Sequence, residues 1–207
     1  MINALFVETN GPYFGSDNLI PWDIKADARK CKNGLPAIAH PPCDRWGRYW
    51  SGGPSAKTKR KLGDDEGCFA FALWYVRLHG GVIEHPEASH AFKFFGLPIP
   101  DRKGSWSEPD RYGGRSCCVE QGHYGHPARK ATWLYACKTI FPELTWGACE
   151  GRKRLDEGFH SKEEARIKRS SPDYIPAKRI TAKQMIETPT LFKELLIEIA
   201  MSAQQEN

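Results

Sequence analysis

Short apolar runs alternate with clusters of turn formers over the first forty residues. INALFVE (2–8) is apolar and ends in an acid, and TNGPYFGSDN (9–18) consists largely of turn-forming residues. NLIPWDI (18–24) and LPAIAH (35–40) repeat the arrangement and run out at Asp23 and His40. Each reads as a short strand that delivers a polar side chain at its carboxyl end, where open α/β sheets bind their ligands.

The period then changes. Residues 64–79, DDEGCFAFALWYVRLH, carry acids in front, apolar residues at 68, 69, 71, 72, 75, 76 and 78, and a Gly-Gly stop at 80–81. This predicts an amphipathic helix with Asp64 as its N-cap. GVIEH (81–85) follows at once, so strand, helix and strand span 36–85 and imply a parallel pair. Residues 96–115 are rich in Pro, Gly and charge and read as loop, and SCCVEQ and ATWLYAC read as strands flanking the turn GHYGHPARK (122–130). Near the end Thr181 and Gln184 form a capping-box pattern, and Thr188 with Pro189 predicts a second N-cap with proline at the first helical position. LFKELLIEIAMSA then reads as a closing amphipathic helix, the last element of closing helices over 181–203. The pattern as a whole predicts one α/β domain: an abbreviated, Rossmann-like, mostly parallel sheet with flanking helices.

Composition agrees. A chain of 207 residues with 40% hydrophobic and 27% charged side chains suits one domain with a real core, and 7 Trp with 10 Phe make it aromatic. The net charge of +5 is gathered in KTKRK (57–61), GRKR (151–154) and ARIKR (165–169). Such clusters suit a phosphate-rich partner and equally suit solvated loops. No apolar run approaches the ~20 residues of a membrane span, and the N-terminus lacks the basic-then-apolar layout of a secretory signal, so a soluble cytoplasmic protein is expected. Seven cysteines, an odd count without a CxxC pair, suggest reduced thiols.

The candidate chemistry begins at AIAHPPCDRWGRYW (37–50). Two prolines fix an extended approach to Cys43, and a thiol becomes a nucleophile when it is exposed and its pKa is lowered. A buried structural cysteine is the plain alternative. Two further segments bear on the choice: IEHPEAS (83–89), with Glu84 at a strand end, and YGHPARKATWLYA (124–136), with Arg129 and Lys130 leading into a strand.

Pro-Pro-Cys, then Glu-x-Pro, then Tyr-Gly-x-Pro-x-basic resembles the cytosine-C5 DNA methyltransferases, and within them short, phage-type members. In that family a Pro-Cys loop supplies the nucleophile, a Glu-Asn-Val or Glu-Asn-Pro segment holds the base, and a Gln-x-Arg-x-Arg segment supports both. The resemblance implies Cys43 as the thiolate that adds to cytosine C6, Glu84 at N3 and the exocyclic amine, and Arg129 and Lys130 as electrostatic support. It implies DNA as partner, with the target base out of the stack. ITAKQMIETPTLF looks like the family's late Leu-Thr-x-Arg-Glu segment.

The resemblance also implies S-adenosylmethionine as cofactor. Phe6 would stack on its adenine, Asn10 and Gly11 would form the donor loop, Asp23 or Asp27 would hold the ribose, and Pro41 would lie beside the donor. Here the sequence departs from the family. Phe6-Val7-Glu8-Thr9-Asn10-Gly11 stands in place of Phe-x-Gly-x-Gly-Gly, so the donor half reads as reduced. His85 replaces the family's Asn, Ala128 and Thr132 stand where its basic segment has Gln and Arg, and only residues 137–180 offer a small basic region for DNA.

Two other classes remain open. His40-x-x-Cys43 and His123-x-x-His126, with Cys118 near by, have ligand types and spacings that zinc or iron accepts. A catalytically silent relative would bind DNA or a host protein through Trp46, Tyr49 and Trp50 beside the basic run 57–61.

Overall fold

Each strand of the sheet alternates its side chains between two faces, and each face has found a helix. In the computed structural model, which describes residues 1–52, 57, 60–149 and 180–203, six strands form one sheet. They are β1 (Ile2–Leu5), β2 (Leu19–Trp22), β3 (Ala37–Ala39), β4 (Gly81–Pro86), β5 (Arg115–Glu120) and β6 (Ala131–Cys137), in the order β2-β1-β3-β4-β6-β5. The first four in that order pair in parallel, and β6 runs against both of its neighbours.

Leu5, Ala37, Ala39, Ile83 and Tyr135 face one way and pack with Phe69, Leu73 and Val76 of α1 (Cys68–His79). Ile2, Ala4, Ile38, Val82 and Leu134 face the other way, onto the carboxyl-terminal helix (Thr190–Met201), through Phe192, Leu196 and Ile199. The period of two along the strands therefore builds both layers of a helix–sheet–helix domain. A one-turn helix α2 (His90–Phe94), capped by Ser89, precedes loop 95–114. α3 (Ala182–Ile186) starts with the capping box of Thr181 and Gln184 read from the sequence, and the carboxyl-terminal helix is hereafter α4.

Two helix starts differ from expectation. Asp65, not Asp64, holds the start of α1: its carboxylate accepts from the backbone N–H groups of Gly67 (3.0 Å) and Phe69 (2.8 Å). α4 begins at Thr190, which leaves Pro189 in the capping position and Thr188 outside the helix. The parallel links β1–β2 and β2–β3 contain no α-helix, only turns and a 3-10 turn at Ala28–Lys30. The first half of the sheet is thus as abbreviated as TNGPYFGSDN suggested. No helix among the described residues is long and apolar enough to cross a membrane. Most of 137–180, including the basic clusters 151–154 and 165–169, lies outside the described residues.

Candidate functional site

β1 pairs with β2 on one side and β3 on the other, so the chain leaves β1 in one direction and returns in the other. The carboxyl ends of β1 and β3 flank the resulting switch point, where ligands of open α/β sheets bind. His40 extends β3 by one position, its N–H donating to the Leu5 carbonyl at 3.0 Å. On one side its Nδ1 lies 3.0 Å from Glu84 Oε2, and on the other its Nε2 lies 2.7 Å from the hydroxyl of Tyr13. Tyr13 comes from the 6–18 loop and is buried. Gln121, also buried, donates its amide to Glu84 Oε1 (3.3 Å) and to Thr132 Oγ1 (2.9 Å). Thr132 in turn donates to the Lys130 carbonyl at 3.1 Å.

The Cys43 loop leaves this point and is fastened from behind. The Cys43 carbonyl accepts from the N–H groups of Trp46 (3.0 Å) and Gly47 (2.7 Å), a tight turn that keeps Cys43 itself exposed. Trp46 is buried among Phe69, Phe94 and Phe95, and its indole N–H donates to Asp65 at 2.8 Å. One carboxylate therefore caps α1 and anchors the Cys43 loop. Of the aromatic trio proposed for stacking, Trp46 is core, Trp50 is half-buried, and Tyr49 is exposed, with the Arg48 guanidinium 5.7 Å from its ring centre.

The electrostatics link the central groups. Partial desolvation, then the charges of Glu84 and Asp44, push the Cys43 thiol up, and Lys130 opposes them. The resting sulfur thus holds its proton, contrary to the lowered pKa expected of a ready nucleophile. Burial pushes Glu84 up, but the hydrogen bond and charge of His40, with Lys130, prevail and hold it below the usual glutamate value. Burial weakens the hold of Lys130 on its proton, against the pull of Glu84 and Cys43. The Lys130 ammonium also donates to the Glu187 carbonyl at 2.8 Å, which ties the centre to the segment joining α3 and α4. Phe6, Asn10, Ala88 and Lys130 all hold positive φ without being glycine, a backbone strain that clusters at functional sites.

Cys43 thus lies within the electrostatic reach of Glu84 and Lys130, whereas Arg129 turns to Glu120, with Nε 4.0 Å from its carboxylate. The residues expected around S-adenosylmethionine are otherwise engaged. Asp23 is buried, accepting from Thr9 (2.6 Å) on one oxygen and from the N–H groups of Lys25 and Ala26 (both 3.0 Å) on the other. Asp27 pairs with Arg29 at 2.8 Å. Phe6 packs edge-on against Phe71, and a Cβ on Gly11 would sit 2.9 Å from the Glu8 carbonyl. Pro41 is buried, Asn10 is exposed, and the buried Tyr13 sets its hydroxyl against His40. Both acids meant for the ribose are spent on their own turns, so the residues present do not fit S-adenosylmethionine.

Nor do the metal candidates converge: among the described residues no three His, Cys, Asp or Glu side chains are gathered as a metal ion needs. His126 Nδ1 accepts from the Ala128 N–H (3.0 Å) and Nε2 donates to the Gln184 carbonyl (2.9 Å), while His123 faces the Gly147 carbonyl at 3.2 Å. Cys118 is buried, its thiol pushed up to about 11 by desolvation first and by Glu87 second. The sequence marks His40 only as a polar strand end and a metal-ligand candidate and Thr132 only as a departure from the family's basic segment, and it marks neither Tyr13 nor Gln121 as functional. His40 carried a signal in its place at a strand end, but Tyr13 carried none beyond a turn-rich context.

His85 stands directly behind the Cys43 loop. It is fully buried, neither ring nitrogen has a hydrogen-bond partner, and the carbonyls of Pro41 and Pro42 face it. Burial is the main cause that drops its pKa to about 4. An unfolded chain takes up this proton near pH 6.5, the native state only near 4, so acidification across that window favours unfolding. Urea-unfolding midpoints are expected to fall between those pH values, and to fall less in His85→Leu. An equal fall in both proteins would remove His85 from the account.

Compared with known proteins, the chain matches no family model, no curated protein and no solved structure.

Proposed function

We propose that this protein is a DNA-modifying enzyme of the cytosine-C5 kind, working by covalent addition of Cys43 to C6 of the base. The observation that carries the reading is an exposed thiol on a rigidly anchored loop, in the field of both Glu84 and Lys130, at the switch point of the sheet. C5 of cytosine is a poor nucleophile until sulfur adds at C6, which turns the ring into an enamine able to attack an electrophile. Negative charge then develops toward N3, where Glu84 is suited to hold a proton and Lys130 to stabilise the polarised ring. Tyr49 and Arg48, on the same loop, suit stacking and phosphate contact with a displaced strand.

The test is mass spectrometry of nucleosides from DNA of cells that lack cytosine-C5 methylation and express this protein. A new modified cytosine is expected, and its mass names the group transferred. Unmodified DNA, together with no covalent complex on a duplex carrying 5-azacytosine, would sink the reading. It would favour a second one, the silent DNA-binding relative, to which the engagement of Asp23 and Asp27 in their own turns lends support.

A further inference from the structure

The 6–18 loop brings the Tyr13 hydroxyl to His40, which is bonded in turn to Glu84. Burial first, and the Glu84 charge second, push the Tyr13 phenol far above its usual range, so it keeps its proton, and its hydroxyl lies 2.7 Å from His40 Nε2 with that hydrogen available to donate. Where the Tyr13 hydroxyl donates to Nε2, a neutral His40 carries its hydrogen on Nδ1, and a charged His40 carries one there as well, so in either state that hydrogen points at Glu84 Oε2. The tautomer of His40 is thereby set by Tyr13, in the way that a buried third group orients the histidine of a nucleophilic triad. Oε2 is engaged by His40, and the bond at Oε1 is the long one from Gln121, 3.3 Å.

We propose that Tyr13 and His40 are positioning residues of the Cys43 centre: they hold Glu84 as a carboxylate with Oε1 open, so that Glu84 takes the thiol proton and passes it to N3. This rests on the function proposed above. The step balances without a co-reactant. The S–H bond breaks and its proton goes to Glu84; the sulfur lone pair forms the S–C6 bond. The C5–C6 π pair moves to C4–C5, the C4–N3 π pair moves onto N3, and N3 takes the proton from Glu84. The raised thiol and the lowered carboxyl leave the resting proton on sulfur and the acceptor empty, so the transfer runs uphill and is completed only as the S–C6 bond forms and N3 takes the proton. The other charged or titratable groups facing this pair are Lys130 and His85 around Glu84 and Asp44 near Cys43.

The experiment titrates the Glu84 carboxyl by carbon NMR in full-length protein labelled at glutamate. In parallel it follows covalent complex formation on a 5-azacytosine duplex across the same pH range. Glu84 is expected to titrate below the ordinary glutamate value in the wild type. His40→Ala should move it up by about one pH unit or more, the scale of one lost hydrogen bond to the charged form. Tyr13→Phe should move it part of the way, and His40→Asn, whose amide replaces the Nδ1 donor, should restore it. The acid limb of complex formation should follow the same order. An unchanged Glu84 titration in a folded His40→Ala or Tyr13→Phe protein overturns the proposal, even where the complex still forms. A shifted Glu84 in proteins that form no complex, the wild type included, removes the function proposed above and the shuttle with it.

Discussion

Cys43→Ser is expected to leave the protein folded and to abolish covalent capture of a 5-azacytosine duplex, with a loss of at least about 10³-fold in rate. The fold should tolerate the change because the side chain is exposed and the loop is held by other atoms. Its turn depends on the Cys43 carbonyl, and its anchor is the Trp46 indole on Asp65. Surface substitutions of this kind change stability by about 0.5 kcal/mol or less. The chemistry should not survive, since a hydroxyl in the field of Glu84 and Asp44 is a far weaker nucleophile than sulfur. Intact-protein mass spectrometry reads the capture, and thermal unfolding reads the fold. Capture by the serine variant at the wild-type rate would move the nucleophile elsewhere, with Cys68 and Cys149, both half-buried, as the next thiols to examine.

Gly81→Ala is expected to be the most damaging small substitution, at roughly 3–4 kcal/mol, or about 10 °C in melting temperature for a chain of this size. Gly81 has φ +130°, and a Cβ there would lie 1.9 Å from the Ala37 carbonyl. The two residues are register partners in the β3–β4 pair. That pair also sets His40, just past the end of β3, beside Glu84 within β4, so the variant should lose the hydrogen bond between them along with stability. Urea unfolding gives the first quantity and the Glu84 titration the second. A variant as stable as the wild type would mean that the two strands do not approach as closely as described.

The strand–helix–strand unit over 36–85 was legible because α1 is long enough for its apolar period to be read and Gly80–Gly81 ends it sharply. The strands around residues 116–121 and 131–137 were legible for their β-branched and aromatic content. Their placement was not: β6 lies between β4 and β5, an order fixed by packing across long stretches of chain rather than by local pattern. The site divides along the same line. Cys43, Glu84 and Lys130 could be named because each stands at the end of an apolar run or in a proline-marked loop. Tyr13 could not, since its partner lies on a different element 27 residues away. Asp23 misled for a related reason. An acid after a strand looks free in a sequence, and only the structure has it closing its own turn with Thr9, Lys25 and Ala26.

The insertion of β6 has a consequence for synthesis on the ribosome. β4 is complete at residue 86, but the strand that covers its outer edge ends only at residue 137, and β5 meets β4 solely through it. While those residues are still being added, a buried-type strand, Val82 and Ile83 among its residues, has an open row of backbone donors and acceptors. The nascent chain is therefore most liable to pair with a neighbour in that interval, and a product ending before residue 131 would carry the same open edge permanently.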